Sequence, residues 1–277
     1  MLSPFTFLAF LSLICGGGSM LLGCGRPLSN AFLIHPSTHV EDAGEARSKV
    51  IDTDVGDIEV LIAGARRPNC YVLRLEGNAG RAERTADYVA DRWKDFDAEV
   101  WAMNFPGFGK SDGPAALDRL TPAAEAIYDG LANKGLPVYL DADSIGTAPA
   151  LHLAATAHRK PAGIVLKNPP PLKQLILGRY GWWNLWLGAL PIAMAVPSEL
   201  DSLANAEQIQ SPVLLFSAEN DSLVPMSYQL RIFNRLPGTK RQVVFRDAEH
   251  NTPIDPAAER ELQAEMTELF KGPSRRQ

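Results

Sequence analysis

Cysteine is scarce in this chain of 277 residues, which contains Cys15, Cys24 and Cys70 and no others. Three cysteines cannot build a disulfide-stapled scaffold, and none lies in a C-x-x-C pair or a His/Cys cluster typical of structural zinc. Cofactor-binding repeats, heptads and low-complexity tracts are also absent, so no cofactor and no metal are predicted. Cys70 opens an apolar run and is interpreted as a buried thiol.

A dense basic cluster is missing as well. The net charge is −5 and the isoelectric point is near 5.6, which argues against nucleic acid as the main partner. Hydrophobic residues make up 46% of the chain and charged residues 21%, as in soluble globular proteins of one large or two modest domains.

No charged side chain precedes Arg26. The apolar run from Phe5 to Cys15, followed by small residues, is typical of a secretory signal peptide, although the usual positive residues before the run are missing. We therefore expect export, with a signal peptide over residues 1–23 and a tether over residues 24–47.

Leu21-Leu22-Gly23-Cys24 resembles a bacterial lipobox, in which the cysteine is lipidated and becomes the first mature residue. The resemblance implies a lipid on Cys24 and a protein of the cell envelope held at a membrane surface. A cleaved signal without a lipid and an uncleaved anchor are the alternatives that stay open.

Apolar runs alternate with helical patterns along the rest of the chain. Strands are predicted at Val50–Asp54, Asp57–Ala63, Cys70–Leu75, Ala98–Phe105, Val138–Leu140, Gly163–Lys167, Pro212–Ser217 and Arg241–Arg246, and helices at Arg81–Phe96, Thr121–Asn133, Thr147–His158 and Pro256–Phe270. This alternation predicts an α/β fold with a mostly parallel sheet that helices cover on both faces. Ligands of such sheets bind beyond the carboxyl ends of the strands.

Ser144 stands at the tip of a predicted strand, turn and helix. In the G-x-S-x-G elbow, small residues two before and two after the serine let a strained turn close while the hydroxyl stays accessible. These positions are Ala142 and Gly146 here, so the first glycine is replaced by the next smallest residue. The pattern predicts Ser144 as a nucleophile.

A serine hydroxyl needs a base that takes its proton, and the base needs an acid that orients it. His250, in the loop after the last predicted strand, is the predicted base, whereas His152 and His158 lie within a helix and are interpreted as surface or packing residues. Asp221, in the loop after the preceding strand, is the predicted acid; Glu219 is its competitor, and helix capping is its alternative role. The chain order serine, aspartate, histidine is that of α/β-hydrolases.

With these residues in place, residues 48–271 resemble a small serine hydrolase of the α/β-hydrolase superfamily. Residues 76–80, EGNAG, resemble the H-G-N-A-G turn of a subgroup that includes depalmitoylase-like and serine-aminopeptidase-like members. Residues 104–113, NFPGFGKSDG, are similar to its D-Y-R-G-Y-G-x-S-x-G loop.

The resemblance implies an α/β-hydrolase fold in which Ser144, Asp221 and His250 cleave a carboxylic ester or thioester through an acyl-enzyme. It places the oxyanion hole at the backbone N–H groups of Asn78 and Ile145, each worth about 3 kcal/mol to the transition state. A peptidase of the same fold is the next expectation.

Three residues depart from the family pattern: Glu76 replaces histidine, Ala142 replaces glycine, and Asp143 precedes the serine. The carboxylates of Glu76 and Asp143 oppose an oxyanion unless they face away or are paired. They favour the alternative of a non-catalytic envelope lipoprotein that binds an apolar ligand or a partner protein.

The long connection between the strands ending at Lys167 and beginning at Pro212 predicts a small apolar cap over residues 169–207. Its uncharged stretch Tyr180–Ser198 could span a bilayer, but Pro191 and its place between two sheet strands disfavour that interpretation. Trp182, Trp183 and Trp186 are predicted to line a pocket for a small acyl substrate or to touch a membrane.

Overall fold

The computed structural model describes residues 30, 33–39, 41–181 and 189–271. The predicted signal peptide, Cys24 and the three tryptophans Trp182, Trp183 and Trp186 lie outside the described residues. Within the described part, no helix has both the length and the apolarity to cross a membrane.

Eight strands form a single mostly parallel sheet, as predicted. They are β1 (Arg47–Ile51), β2 (Ile58–Gly64), β3 (Cys70–Leu75), β4 (Ala98–Met103), β5 (Val138–Asp143), β6 (Gly163–Lys167), β7 (Val213–Ala218) and β8 (Lys240–Phe245). Their order across the sheet is β1-β2-β4-β3-β5-β6-β7-β8. β2 pairs antiparallel with β1 and β4, and the remaining neighbours pair parallel.

Helices cover both faces of this sheet. They are α1 (Ala82–Arg92), α2 (Leu117–Ala132), α3 (Thr147–Thr156), α4 (Leu172–Tyr180), α5 (Ala189–Met194), α6 (Ser202–Ala206), α7 (Met226–Arg235) and α8 (Pro256–Lys271). Leu73 and Leu75 of β3 join the apolar cluster that includes α2 and α3, whereas Val72 joins the cluster with α1 and α8. Successive strand residues point to opposite faces, so the apolar strands supply two cores.

Several element boundaries differ from the prediction. α2 begins at Leu117, so Thr121 and Pro122 lie inside the helix and not at its start. β1 begins at Arg47 and is mostly exposed, so it carries little apolar signal.

Cys70 is buried at the start of β3, as predicted. Burial raises the pKa of its thiol to about 11, because the thiolate would lose its hydration.

Between β6 and β7 the chain inserts α4, α5 and α6, with residues 182–188 outside the described part. Ile176 of α4 and Ala193 of α5 are buried in the core, whereas Leu190 and Met194 are among the exposed large apolar residues. The insertion therefore packs on the body and also presents apolar surface.

Residues 33–39, which we call the strap, lie against the domain. Ile34 is buried. The strap carbonyls of Ser37 and His39 accept hydrogen bonds from the Arg81 guanidinium, and Ser37 also accepts from the backbone N–H of Gly109. This segment was expected within the tether, but it is fastened to the domain.

Candidate active site

Ser144 follows β5 directly and has a positive backbone φ of 48°, a conformation that favours glycine and stores strain in other residues. Gly146 lies so close to the end of β3 that a Cβ there would be 2.4 Å from the carbonyl oxygen of Glu76. Only glycine fits this approach, which lets α3 begin at the strand edge. Ala142 is fully buried in β5 and fits without a glycine.

Three side chains from separate loops form one hydrogen-bonded row. His250 Nε2 lies 2.9 Å from Ser144 Oγ, and His250 Nδ1 lies 2.7 Å from Asp221 Oδ2. If Nδ1 carries the proton, it donates to the carboxylate and Nε2 accepts from the serine hydroxyl. The imidazole is thereby oriented to remove a proton from Ser144.

Asp221 is held on both of its carboxylate oxygens. Oδ1 accepts from the backbone N–H groups of Leu223 at 2.9 Å and Val224 at 2.7 Å, and Oδ2 accepts from Gln229 Nε2 at 3.3 Å. Asp221 is 4% exposed. The competitor Glu219 instead accepts from the backbone N–H of Asp247, so Asp221 is the carboxylate that meets the histidine. The capping role considered for Asp221 does not occur, since Pro225 occupies the cap of α7.

The loop of His250 is fixed by Asn168, at the end of β6. Asn168 Nδ2 donates to the backbone carbonyl of His250 at 3.2 Å, and its Oδ1 accepts from the backbone N–H of Ala218 at 2.8 Å. One amide thus joins β7 to the histidine loop. His152, which is interpreted from the sequence as a surface or packing residue, contacts Glu125 at 3.3 Å.

The turn proposed for the oxyanion runs beside the serine. A Cβ on Gly77 would be 3.4 Å from Ser144 Cβ. Asn78 follows in this turn, and Ile145 follows Ser144. The side chain of Asn78 is bound by the strap: its Oδ1 accepts from the backbone N–H of His35, and its Nδ2 lies 2.8 Å from His35 Nδ1.

The two carboxylates that departed from the family pattern are paired. Glu76 meets Arg74 through two contacts of 3.1 and 3.2 Å and also accepts from Thr85. Asp143 lies 3.1 Å from Lys167 Nζ and 3.6 Å from Arg74. From the sequence, these carboxylates were expected to oppose an oxyanion unless they were paired, and both of them are paired.

These pairs belong to a buried network on the face of the sheet that α1 and α8 cover. Asp141 accepts from Arg74 at 2.7 Å, Arg92 at 3.2 Å and the Trp93 indole at 2.9 Å. Arg92 continues to Glu259 of α8 at 2.6 Å. The network therefore ties β3 and β5 to both covering helices.

Burial and charge act differently on two of these carboxyls. Burial opposes ionisation of Asp141, but Arg92 and Arg74 outweigh it and hold its pKa below the usual range. Burial is the largest influence on Glu76 and leaves its pKa raised, with Arg74 opposing. Of these two carboxyls, that of Asp141 is therefore the more firmly ionised.

Sequence reasoning missed Arg74, Asp141, Asn168, Gln229 and His35. A signal existed for Arg74 and Asp141, because a charged residue inside an apolar strand needs a buried partner. Gln229 gave a weaker one, as a polar residue on the apolar face of α7. Among the described residues, no group of three or more His, Cys, Asp or Glu is placed to hold a metal ion.

Known proteins resemble this chain in sequence or in architecture. No family model matches the chain. The human Protein ABHD12B is 26% identical in a match of 196 residues, and the match covers 62% of this chain and 51% of that protein. The chain thus spans about half the length of this curated relative.

Solved structures match over most of the chain. The Pyrococcus furiosus esterase Pf2001 is 18% identical with a TM-score of 0.64, covering 86% of this chain and 97% of its own. Est1E from Butyrivibrio proteoclasticus, with ferulic acid bound, is 17% identical with a TM-score of 0.66, covering 80% and 99%. An alpha-beta hydrolase from Vibrio vulnificus is 21% identical with a TM-score of 0.62, covering 83% and 82%.

The chain has the α/β-hydrolase fold. The fold class predicted from the alternation of strands and helices is therefore confirmed. In an α/β-hydrolase fold the nucleophile stands on a strand-to-helix turn at the carboxyl edge of the sheet, which is where β5, Ser144 and α3 lie.

Proposed function

We propose that this chain is a serine hydrolase that cleaves the acyl bond of a carboxylic ester or thioester. The observation that carries the proposal is the hydrogen-bonded row of Ser144, His250 and Asp221 at the strand-to-helix turn. The Pyrococcus furiosus relative is named an esterase and the Vibrio vulnificus relative a hydrolase, which agrees with this chemistry.

In the proposed reaction Ser144 Oγ attacks the acyl carbonyl carbon while His250 Nε2 takes the hydroxyl proton. The backbone N–H groups of Asn78 and Ile145 stabilise the oxyanion that develops on the carbonyl oxygen. His250 then gives its proton to the leaving oxygen or sulfur, which departs and leaves an acyl-enzyme. Water, deprotonated by His250, releases the acid and restores the serine, and Asp221 orients the imidazole in both halves.

The substrate class is proposed from the insertion between β6 and β7. Leu190 and Met194 are exposed apolar residues of α5, and the sequence shortly before α5 contains Trp182, Trp183 and Trp186. An apolar acyl chain is the group that such side chains would bind. Esters rank before thioesters and peptides because the named relatives include an esterase.

Labelling with a fluorophosphonate probe tests the activated serine. We expect rapid labelling of the wild-type protein and none of Ser144→Ala or His250→Ala, because phosphonylation needs both the nucleophile and its base. Ser222→Ala is the matched control: it removes an exposed hydroxyl next to Asp221 that bonds only Glu249 among the described contacts. Absent labelling of folded wild-type protein would support a non-catalytic binding protein instead.

We also propose that the protein is exported and anchored by a lipid on Cys24, on the basis of the uncharged first residues and the Leu-Leu-Gly-Cys motif. Radioactive palmitate should label the wild-type protein in a bacterial host. Cys24→Ser should lose the label, and Cys15→Ser, which changes a cysteine of the apolar run, should retain it. Equal labelling of both variants would contradict the anchor.

A further inference from the structure

We propose that Arg74 is a positioning residue that locks the oxyanion turn against the nucleophile elbow, a role that rests on the hydrolase function proposed above. The two segments leave the sheet side by side, because β3 and β5 are parallel neighbours in which Leu75 is paired with Ala142. The chain then continues into Glu76 and Gly77 on one strand and into Asp143 and Ser144 on the other.

A single guanidinium connects these two segments. Arg74 donates through Nε and Nη2 to Glu76, the residue before the oxyanion turn, at 3.1 and 3.2 Å. It reaches Asp143, the residue before Ser144, at 3.6 Å, and bonds Asp141 at 2.7 Å. The rigid, planar fork of arginine can hold all three carboxylates at once, which the point charge of lysine cannot.

The same guanidinium also sets the charge beside the reacting atoms. Glu76 and Asp143 are each one or two residues from a predicted oxyanion donor or the nucleophile, where negative charge develops in the transition state. Without Arg74, Glu76 loses its cationic partner and Asp143 keeps only Lys167. Any negative charge that remains on the two carboxyls would then oppose the oxyanion in a site of low dielectric. Because the oxyanion exists only in the transition state, loss of Arg74 should lower kcat more than it changes KM.

Arg92 provides a matched comparison within the same network. It is as buried as Arg74 and also contacts Asp141, at 3.2 Å. Its other contacts among the described residues are Glu259 and Tyr88, away from the elbow and the turn. Removing Arg92 therefore takes the same charge from the network without freeing Glu76 or Asp143.

The test measures kcat and KM for a chromogenic acyl ester, per active site titrated with fluorophosphonate, together with urea unfolding. Arg74→Met should lower kcat about 10- to 100-fold with KM within about threefold. Arg92→Met should lose comparable stability yet keep kcat within about threefold. Arg74→Met/Glu76→Gln, which removes a freed carboxylate, should recover part of the lost kcat.

Arg74→Lys serves if the methionine variant does not fold, because it retains a charge but cannot span the carboxylates; it should also lower kcat. The inference is overturned if Arg74→Met or Arg74→Lys keeps wild-type kcat, or if Arg92→Met loses as much. A wild-type protein without turnover that depends on Ser144 would overturn the proposed hydrolase function itself, which is a separate outcome of the same assay.

Discussion

Asp221→Asn is expected to lower kcat about 10⁴-fold with little change in KM, by analogy with the aspartate of other serine triads. The backbone N–H groups of Leu223 and Val224 donate to Oδ1 of Asp221 at 2.9 and 2.7 Å, so they keep an amide oxygen on that side in the variant. The amide NH₂ then faces His250 Nδ1, which lies 2.7 Å from Oδ2 in the wild type. This contact moves the ring proton to Nε2. A protonated Nε2 faces Ser144 and cannot accept the hydroxyl proton.

Glu219→Gln is the matched control, because Glu219 is the other carboxylate in the same loop and contacts the backbone of Asp247. Its kcat should stay within about threefold of wild type. Steady-state hydrolysis of a chromogenic ester by the two variants decides between the carboxylates. Equal losses in both, or a larger loss in Glu219→Gln, would contradict the assignment of Asp221.

Asp141→Asn is expected to lower the free energy of unfolding by about 3–5 kcal/mol at neutral pH, the range for breaking a buried ion pair from one side. Asp141 is 1% exposed and binds both Arg74 and Arg92, so its loss leaves two buried cations short of a counter-charge. Glu76→Gln should cost clearly less, because burial raises the pKa of Glu76 and already weakens its charged form.

Urea unfolding across pH checks the sign of this effect. The pKa of Asp141 is lowered in the folded protein, so its contribution is fully present above its unfolded pKa of about 4 and is lost as the pH falls through the folded pKa. The stability difference between wild type and Asp141→Asn should therefore be largest near neutrality and shrink in acid. A difference that grows in acid would show that Asp141 is not the ionised partner of the two arginines.

Local patterns were enough to predict the fold and the row of three side chains. Ser144 lies at the turn between a short strand and a helix, and His250 and Asp221 each follow a strand. Each of the three could therefore be predicted from a few neighbouring residues in the sequence. A parallel sheet then brings its carboxyl ends to one edge. The predicted start of α2 was wrong, because Thr121-Pro122 is a common helix start, whereas burial of Leu117 and Leu120 extends the helix back to Leu117.

Contacts between distant segments were beyond sequence reasoning. Arg74 and Asp141 are 67 positions apart, and their ion pair depends on the register of β3 against β5. Without that register, the carboxylates of Glu76 and Asp143 had no visible cationic partners and were expected to oppose an oxyanion. The contact of His35 with Asn78, 43 positions away, carries no local pattern of apolar residues at all.

The strap has a consequence for how the molecule would sit on a surface. Asn30 accepts a hydrogen bond from the backbone N–H of Leu117 at the start of α2, and His35 binds the turn beside Ser144. Asn30 and the strap therefore lie at the edge of the sheet that carries Ser144. A protein held at a membrane by the lipid proposed on Cys24 would keep this edge near the surface, and an acyl substrate of the proposed hydrolase would arrive by lateral diffusion in two dimensions. Turnover would then follow the mole fraction of substrate in the surface and not its bulk concentration.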